Sequence, residues 1–158
     1  MKKSLIILSL LCSILYANAQ DYKTAIGIRG GFSNGLTVKH FLSSSNSIEG
    51  ILSTRWRGFN LTGIYQWNIP LSEDGFNFYY GVGAHIGTWN GGKKYKNPWF
   101  DEDRNYTVIG LDGMVGVEYT FTQIPFNISL DYKPGFNIIG HTGFWGDEFA
   151  FSLRYTIK

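Results

Sequence analysis

The stretch Glu148-Phe149-Ala150-Phe151-Ser152-Leu153-Arg154-Tyr155-Thr156-Ile157 alternates large apolar side chains with small or polar ones. Successive side chains of a β-strand point to opposite faces, so a period of two predicts a strand with one apolar and one polar face. Similar runs of about ten residues fill the chain from residue 22 onward, and no useful length shows the 3.6-residue period of a helix. The sequence therefore predicts an all-β protein.

The alternation predicts eight strands joined by short turns and two longer loops. These strands are 22–33, 35–42, 47–56, 58–69, 75–88, 105–121, 125–136 and 147–158. If the strands run up and down, the two longest connections, 89–104 and 137–146, leave the same end of the sheet. Short turns at one end and longer loops at the other are typical of outer-membrane barrels. We therefore expect an eight-stranded antiparallel up-and-down transmembrane β-barrel.

Residues 1–19 have the features of a secretory signal peptide. Lys2 and Lys3 precede an apolar stretch at 5–16, and Ala17-Asn18-Ala19 matches a cleavage site. The apolar stretch is about twelve residues long, which is shorter than the roughly 20 that a membrane-spanning helix needs. We expect export, cleavage before Gln20 and a single mature domain at 20–158.

Removal of the signal peptide changes the chemistry that is available to the mature chain. Cys12 is the single cysteine and lies in the removed part, so disulfides, thiolate metal sites and cysteine nucleophiles are excluded from the mature domain. Cleavage also removes two of the 14 basic residues and none of the 12 acidic ones, which leaves a formally neutral chain. We expect no nucleic-acid partner, because such a partner needs an excess of positive charge.

Three features favour an apolar face that points outward into lipid. About seventeen aromatic side chains on the apolar face exceed what an eight-stranded interior can hold. The polar face is rich in glycine, which makes room for long side chains from the opposite wall. Aromatic residues also lie at both strand ends around an aliphatic band, as the two interfaces of a bilayer require: Trp67, Phe76, Phe78, Tyr119, Phe121, Phe126 and Tyr155 at one end, and Phe32, Trp56, Phe59, Phe136 and Phe149 at the other. A soluble lipocalin-like barrel, with the apolar face inside, is the alternative.

Balanced charge on the inward register predicts a lumen closed by ion pairs. A narrow barrel has little room for bulk water, and a buried charge without a partner is costly. The predicted network consists of Arg29, Glu49, Arg55, Asp112, Glu118, Asp131, Lys133 and Arg154. Lys39 and Glu148 share the inward register, but we expect them near the barrel ends, in water and without partners.

The two long loops carry a candidate binding surface. Its aromatic residues are Trp89, Tyr95, Trp99 and Phe100 in the first loop and Trp145 in the second. Exposed aromatics beside mixed charge suit a surface for sugar, peptide or lipopolysaccharide headgroups, and a hydrophobic cap on the barrel mouth is the alternative.

The spacing of Asp101, Asp103 and Asn105 matches the start of a calcium loop. Tyr106 then stands where the sharp turn of such a loop needs glycine. We therefore expect no metal site, with loose divalent-cation binding at Asp101 and Asp103 as the alternative.

The three histidines give no enzymatic signature. His40, His85 and His141 are not followed at the second position by serine, so no serine–histidine pair lies on one strand face. His85 is predicted to point inward, where it can meet a carboxylate. We expect a non-enzymatic protein without a cofactor, and lipid acyl chemistry through His85 or His141 is the weaker alternative.

The chain resembles the small eight-stranded outer-membrane β-barrels of the OmpA/OmpX type over 22–158. The aromatic-rich end Phe149–Tyr155 carries this likeness, while Gly35–Phe41 and Gly143–Asp147 are similar to an uncharacterised porin-family branch. The resemblance implies the outer membrane of a Gram-negative bacterium and insertion by the outer-membrane assembly machinery. Lys158 departs from the family, whose members commonly end in an aromatic residue.

These features together predict a non-enzymatic outer-membrane barrel with a plugged polar interior. Its role is structural, or it binds at the surface through loops 89–104 and 137–146. We expect a monomer whose partners are outer-membrane lipids and lipopolysaccharide. A narrow solute conduit or a small-ligand-binding barrel, porin-like or lipocalin-like, is the alternative function.

Overall fold

The computed structural model describes residues 22–55, 58–90, 105–140 and 142–158. Within these ranges, no helix is long and apolar enough to cross a membrane. The described residues form ten strands: β1 (Thr24–Gly31), β2 (Asn34–Phe41), β3 (Asn46–Arg55), β4 (Gly58–Pro70), β5 (Phe76–Asn90), β6 (Asn105–Thr120), β7 (Phe126–Tyr132), β8 (Gly135–Ile139), β9 (Gly143–Trp145) and β10 (Phe149–Ile157).

Antiparallel pairing closes these strands into a barrel. Each strand from β1 to β6 pairs with the next one along the chain. β6 then pairs with both β7 and β8, β7 pairs with β10, and β10 returns to β1. Because β7 and β8 lie end to end against β6, the barrel has eight walls. The predicted closed, antiparallel, eight-stranded barrel is confirmed.

The seventh wall differs from the prediction of one strand over 125–136 followed by a loop over 137–146. Pro134 has no N–H to donate to a ladder, and the wall divides there into β7 and β8. The Lys133 N–H and the Pro134 carbonyl bond instead to Glu148 O and Gly113 N, at 2.8 and 2.9 Å. β8 continues to Ile139 and forms a hairpin with β9, so much of the predicted loop is sheet.

The two faces of each strand have opposite chemistry, and the apolar face points outward. In β10, Phe149, Phe151 and Leu153 are 52%, 50% and 39% exposed, whereas Ser152 and Arg154 are fully buried. Leu130 and Val117 of the neighbouring walls are also exposed. The predicted orientation, with oily residues outside and charges inside, is therefore confirmed.

Aromatic side chains pack around the end of the barrel that carries both strand termini Thr24 and Ile157, which we call the terminal end. Three contacts illustrate this packing, with ring centroids 4.5, 4.9 and 5.7 Å apart: Phe76 with Tyr119, Tyr119 with Phe121, and Phe126 with Tyr155. The opposite end, which carries the β8–β9 hairpin, we call the mouth.

Interior glycines make room for side chains from neighbouring walls. A Cβ atom on Gly116 of β6 would lie 2.7 Å from the Tyr79 ring and 2.7 Å from Asp131 Cβ. Gly63 of β4 lies on the outer face, where a Cβ would meet nothing within 4 Å. The absence of a side chain thus matters at Gly116 and not at Gly63.

Gly116→Ala should lower the free energy of unfolding by about 1–3 kcal/mol, because the added methyl overpacks the lumen against Tyr79 and Asp131. Gly63→Ala is the matched control and should be neutral or stabilising by under about 1 kcal/mol. Urea unfolding of the refolded barrel in micelles measures both values. Equal losses in the two variants would show that overpacking of the lumen is not the cause.

Candidate functional site

The lumen is the candidate site, and its first ion pair lies nearest the terminal end. Lys39 of β2 donates to Glu118 of β6 at 2.9 Å and to the Asn68 amide oxygen at 2.8 Å. The Lys39 ammonium also lies 4.4 Å from the centre of the Tyr79 ring, within the range of a cation–π contact. Both charged side chains are fully buried. This pair crosses the lumen, since β2 and β6 are not neighbours in the barrel.

A second pair, Arg154 with Glu49, lies at the centre of the largest hydrogen-bond network. Arg154 of β10 donates to the Glu49 carboxylate of β3 at 2.5 Å, and both side chains are fully buried. Glu49 also accepts bonds from Thr37 and, at 2.6 Å, from Gln66. The other Arg154 terminal nitrogen donates to Ser129 at 2.8 Å and to Asn127 at 3.2 Å.

A third pair joins Arg29 of β1 to Asp131 of β7. The guanidinium donates to the two carboxylate oxygens at 2.8 and 2.5 Å, which is the bidentate geometry that makes arginine–carboxylate pairs strong. The Tyr79 hydroxyl donates to the same carboxylate at 3.2 Å. Tyr79 is fully buried, so its ring lies between the ammonium of the first pair and the carboxylate of the third.

A chain of charged groups, which we call the mouth chain, spans the lumen near the mouth. Lys133 Nζ lies 3.2 Å from Asp112 and 3.1 Å from Glu148. The other Asp112 oxygen lies 2.7 Å from His85 Nδ1, and Ser33 donates to Glu148 at 2.8 Å. These residues come from β5, β6, the β7–β8 junction, the approach to β10 and the β1–β2 turn, so the mouth chain ties five parts of the wall together.

His85 lies between two oxygen atoms. Its Nδ1 faces Asp112, and its Nε2 lies 2.8 Å from the Asn137 amide oxygen. A protonated imidazolium donates from both nitrogens and would satisfy both oxygens. Among the described side chains, four buried cations face five buried carboxylates, and His85 lies beside one of these carboxylates, Asp112.

The structure buries seven of the eight side chains that were predicted to form the network: Arg29, Glu49, Asp112, Glu118, Asp131, Lys133 and Arg154. The Arg55 side chain lies outside the described part of the chain. The expectation for Lys39 and Glu148 was wrong, because both are buried and ion-paired. Their register pointed inward, but their partners are 79 and 15 positions away in sequence and only the closed barrel brings them together.

The predicted loop surface is described only in part. Trp145 is half-buried in β9 and lines a small cavity at the mouth together with the mouth chain. The side chain of Trp89 and the whole of Tyr95, Trp99 and Phe100 lie outside the described residues. Asp101, Asp103 and His141 also lie outside them.

Sequence reasoning missed the polar residues that line the mouth. Ser33, Ser53 and Asn137 border the same cavity as His85. Asn137 belongs to the predicted loop 137–146, so no inward position is predicted for it. The pattern Phe136-Asn137-Ile138 does carry the signal of an inward amide between two outward apolar residues.

The described residues show no assembled catalytic or metal site. The Ser33 hydroxyl donates to Glu148, and the His85 Nε2 atom that would accept a nucleophile's proton faces Asn137 instead. No group of three histidine, cysteine, aspartate or glutamate side chains in the described ranges has the geometry to hold a metal ion. In this part of the chain, the charged groups bind one another.

The barrel is similar to a solved structure, the N-terminal β-barrel domain of Pseudomonas aeruginosa OprF. The TM-score is 0.62 at 12% sequence identity, over 86% of this chain and 98% of that domain. The two chains share a fold. The resemblance to small eight-stranded barrels is therefore confirmed at the level of fold. No protein-family model and no curated sequence gives a significant match, so the porin-family branch stays a prediction.

Arg154→Met should lower the free energy of unfolding by about 3–5 kcal/mol, because it leaves the Glu49 carboxylate buried without its cation. Glu49→Gln combined with Arg154→Met should recover part of that loss, since both charges are then absent. Lys23→Met removes an exposed cation next to β1 and should change stability by less than about 0.5 kcal/mol.

Urea unfolding of the parent, Arg154→Met, Glu49→Gln and the double variant gives the coupling energy between the two sites, and Lys23→Met serves as the control. Strictly additive losses from Arg154→Met and Glu49→Gln would contradict an energetic link between these side chains.

Proposed function

We propose that this chain is a non-enzymatic barrel of the bacterial outer membrane, with a lumen that its own ion pairs close. The observation that carries the proposal is the outer surface, where large apolar side chains are exposed on all eight walls. Val82, Leu111, Leu130 and Phe151 are each about half exposed, which is costly in water and favourable in lipid. The OprF barrel domain shares the fold, which agrees with this location without testing it.

The contacts inside the lumen support a plugged interior. The pairs Lys39–Glu118, Arg154–Glu49 and Arg29–Asp131 each join walls that are not neighbours, so their side chains cross the space that a solute would use. A channel that selects one ion sign would more naturally carry an excess of opposite charge. In these three pairs each cation meets one carboxylate, which suits a stable plug better than a conduit.

Export and partners follow as parts of the same proposal. The signal peptide at 1–19 would deliver the chain to the periplasm, and the assembly machinery would insert it as a monomer among outer-membrane lipids and lipopolysaccharide. The long loops 89–104 and 137–146 would then face the cell exterior. Trp145 supports a binding role for this face, because its ring lies at the mouth rather than among lipid-facing residues.

Leu130→Arg tests whether the barrel is embedded in a membrane. Leu130 lies midway along β7 on the outer face, so an arginine there should destabilise a barrel folded in phospholipid vesicles by about 2–4 kcal/mol. Thr122→Arg places the same side chain in a terminal-end turn and should cost about 0–1 kcal/mol. A water-soluble barrel would tolerate both changes equally, and that result, measured by urea unfolding, would end the membrane proposal.

Planar-bilayer recording tests the closed lumen. The purified barrel should insert without producing a steady unit current, because three crossing ion pairs occupy the lumen. A preparation of Leu130→Arg, purified in the same way, controls for currents from contaminating porins. Steady conductance from the parent protein that the control preparation lacks would show an open conduit.

A further inference from the structure

The mouth holds a cavity that neither the membrane location nor the closed lumen explains. It is bordered by Ser53, Asn60, Val108, Asn137 and Trp145, and by the mouth chain beneath them. It contains about 410 Å³ of empty space when its opening to solvent is included. The enclosed part has room for about one water-sized group. Because the crossing ion pairs lie below, the cavity is a dead end.

The charged groups at the base of this cavity are already paired. Lys133 lies between Asp112 and Glu148, and Asp112 also faces His85. Ser33 occupies the other Glu148 oxygen. A charged ligand would therefore have to break existing pairs, so the cavity favours a neutral one.

Two buried amide atoms at the cavity wall lack a partner among the described residues. Asn137 is 1% exposed, and its Nδ2 donor has no hydrogen bond, because the other side of the amide faces His85. Asn60 Oδ1 is a buried acceptor that also has no hydrogen bond. An unsatisfied buried amide destabilises the protein, so a ligand that satisfies both atoms gains the bonds they lack. Such a ligand must both accept and donate, which a hydroxyl group does.

Trp145 and Val108 supply apolar contact beside these amides. Val108 is almost fully buried, and the half-buried Trp145 lines the same cavity. An aromatic ring next to amide donors and acceptors suits a molecule with an apolar C–H face and a rim of hydroxyls.

We propose that the mouth cavity binds a small neutral polyhydroxylated molecule of the sugar class. One hydroxyl-bearing arm enters the enclosed part and bonds to Asn137 and Asn60, while the ring of the ligand rests on Trp145. The inference goes beyond the proposed function. It depends on the cavity alone, so it can fail while the membrane barrel and its closed lumen stand.

The test is a titration of the refolded mature barrel with methyl β-glucoside, followed by NMR. The barrel is held in a zwitterionic detergent without a sugar headgroup, which would otherwise compete. We expect saturable shifts of the Asn137 and Asn60 side-chain amides and of the Trp145 indole N–H, with a dissociation constant on the order of millimolar. Sodium phosphate, titrated separately, should leave these signals in place.

Asn137→Asp and Asn127→Asp form the matched pair of variants. Each variant keeps the oxygen that faces its partner, His85 for Asn137 and Arg154 for Asn127, and removes the amide donor. Only Asn137→Asp should weaken binding, by about tenfold, since Asn127 lies among the Arg154 contacts away from the cavity. A second variant, Asn60→Ala, should weaken it by a similar factor.

Several outcomes would overturn the proposal. The first is an absence of saturable shifts at Asn137 and Trp145, and the second is equal binding by parent and Asn137→Asp. Shifts caused by phosphate instead of the glucoside would assign the cavity to anions and contradict a neutral ligand. The NMR spectrum of each variant also shows whether the barrel has folded, and Asn60→Ala keeps the test decisive if Asn137→Asp does not fold.

Discussion

The rest of the structure depends on the neutralisation of charge inside a narrow lumen. Arg154 is fully buried at the centre of the barrel, where an isolated guanidinium would be prohibitively costly. Glu49 of β3 supplies a carboxylate, and Asn127 and Ser129 of β7 supply two more oxygen acceptors. These contacts form only when β3, β7 and β10 take their observed register. Charge pairing thus selects one register of the strands, whereas the contact of apolar side chains with lipid is compatible with many registers.

The orientation of the two strand faces also determines how side chains pack in the lumen. Long side chains such as Tyr79, Lys39 and Arg154 all point into an interior that eight strands barely leave open. Gly116 pairs with Tyr79 on the adjacent strand, and a side chain at Gly116 would collide with the Tyr79 ring. Polar groups and glycines therefore form most of the core, beside a small apolar cluster of Ile51, Ile64, Tyr79 and Met114. Most of the large apolar residues, which would form the core of a soluble domain, lie on the surface.

The mouth differs from the deeper lumen because its unsatisfied polar atoms border an open cavity. Arg29 Nε, Glu118 Oε1 and Ser152 Oγ also lack a hydrogen bond among the described residues, but they do not line that cavity. The mouth chain is well paired, and Asn137 and Asn60 above it retain unsatisfied polar atoms beside Trp145. Stability and binding are therefore separated along the axis, because the closed part holds the barrel and the open part can accept a ligand.

The alternation of residues such as Phe151, Ser152 and Leu153 determined by itself the strand content and the opposite chemistry of the two faces, since a period of two is a local property. The abundance and placement of the aromatic residues and glycines then predicted that the apolar face points outward. Tertiary structure decided which cation meets which anion: Lys39 and Glu148 have inward positions, but their partners come from distant strands. It also decided the division of the seventh wall at Pro134 and the place of Asn137 beside His85. The physical reason is that register and closure are set by contacts across the barrel, which no local pattern contains.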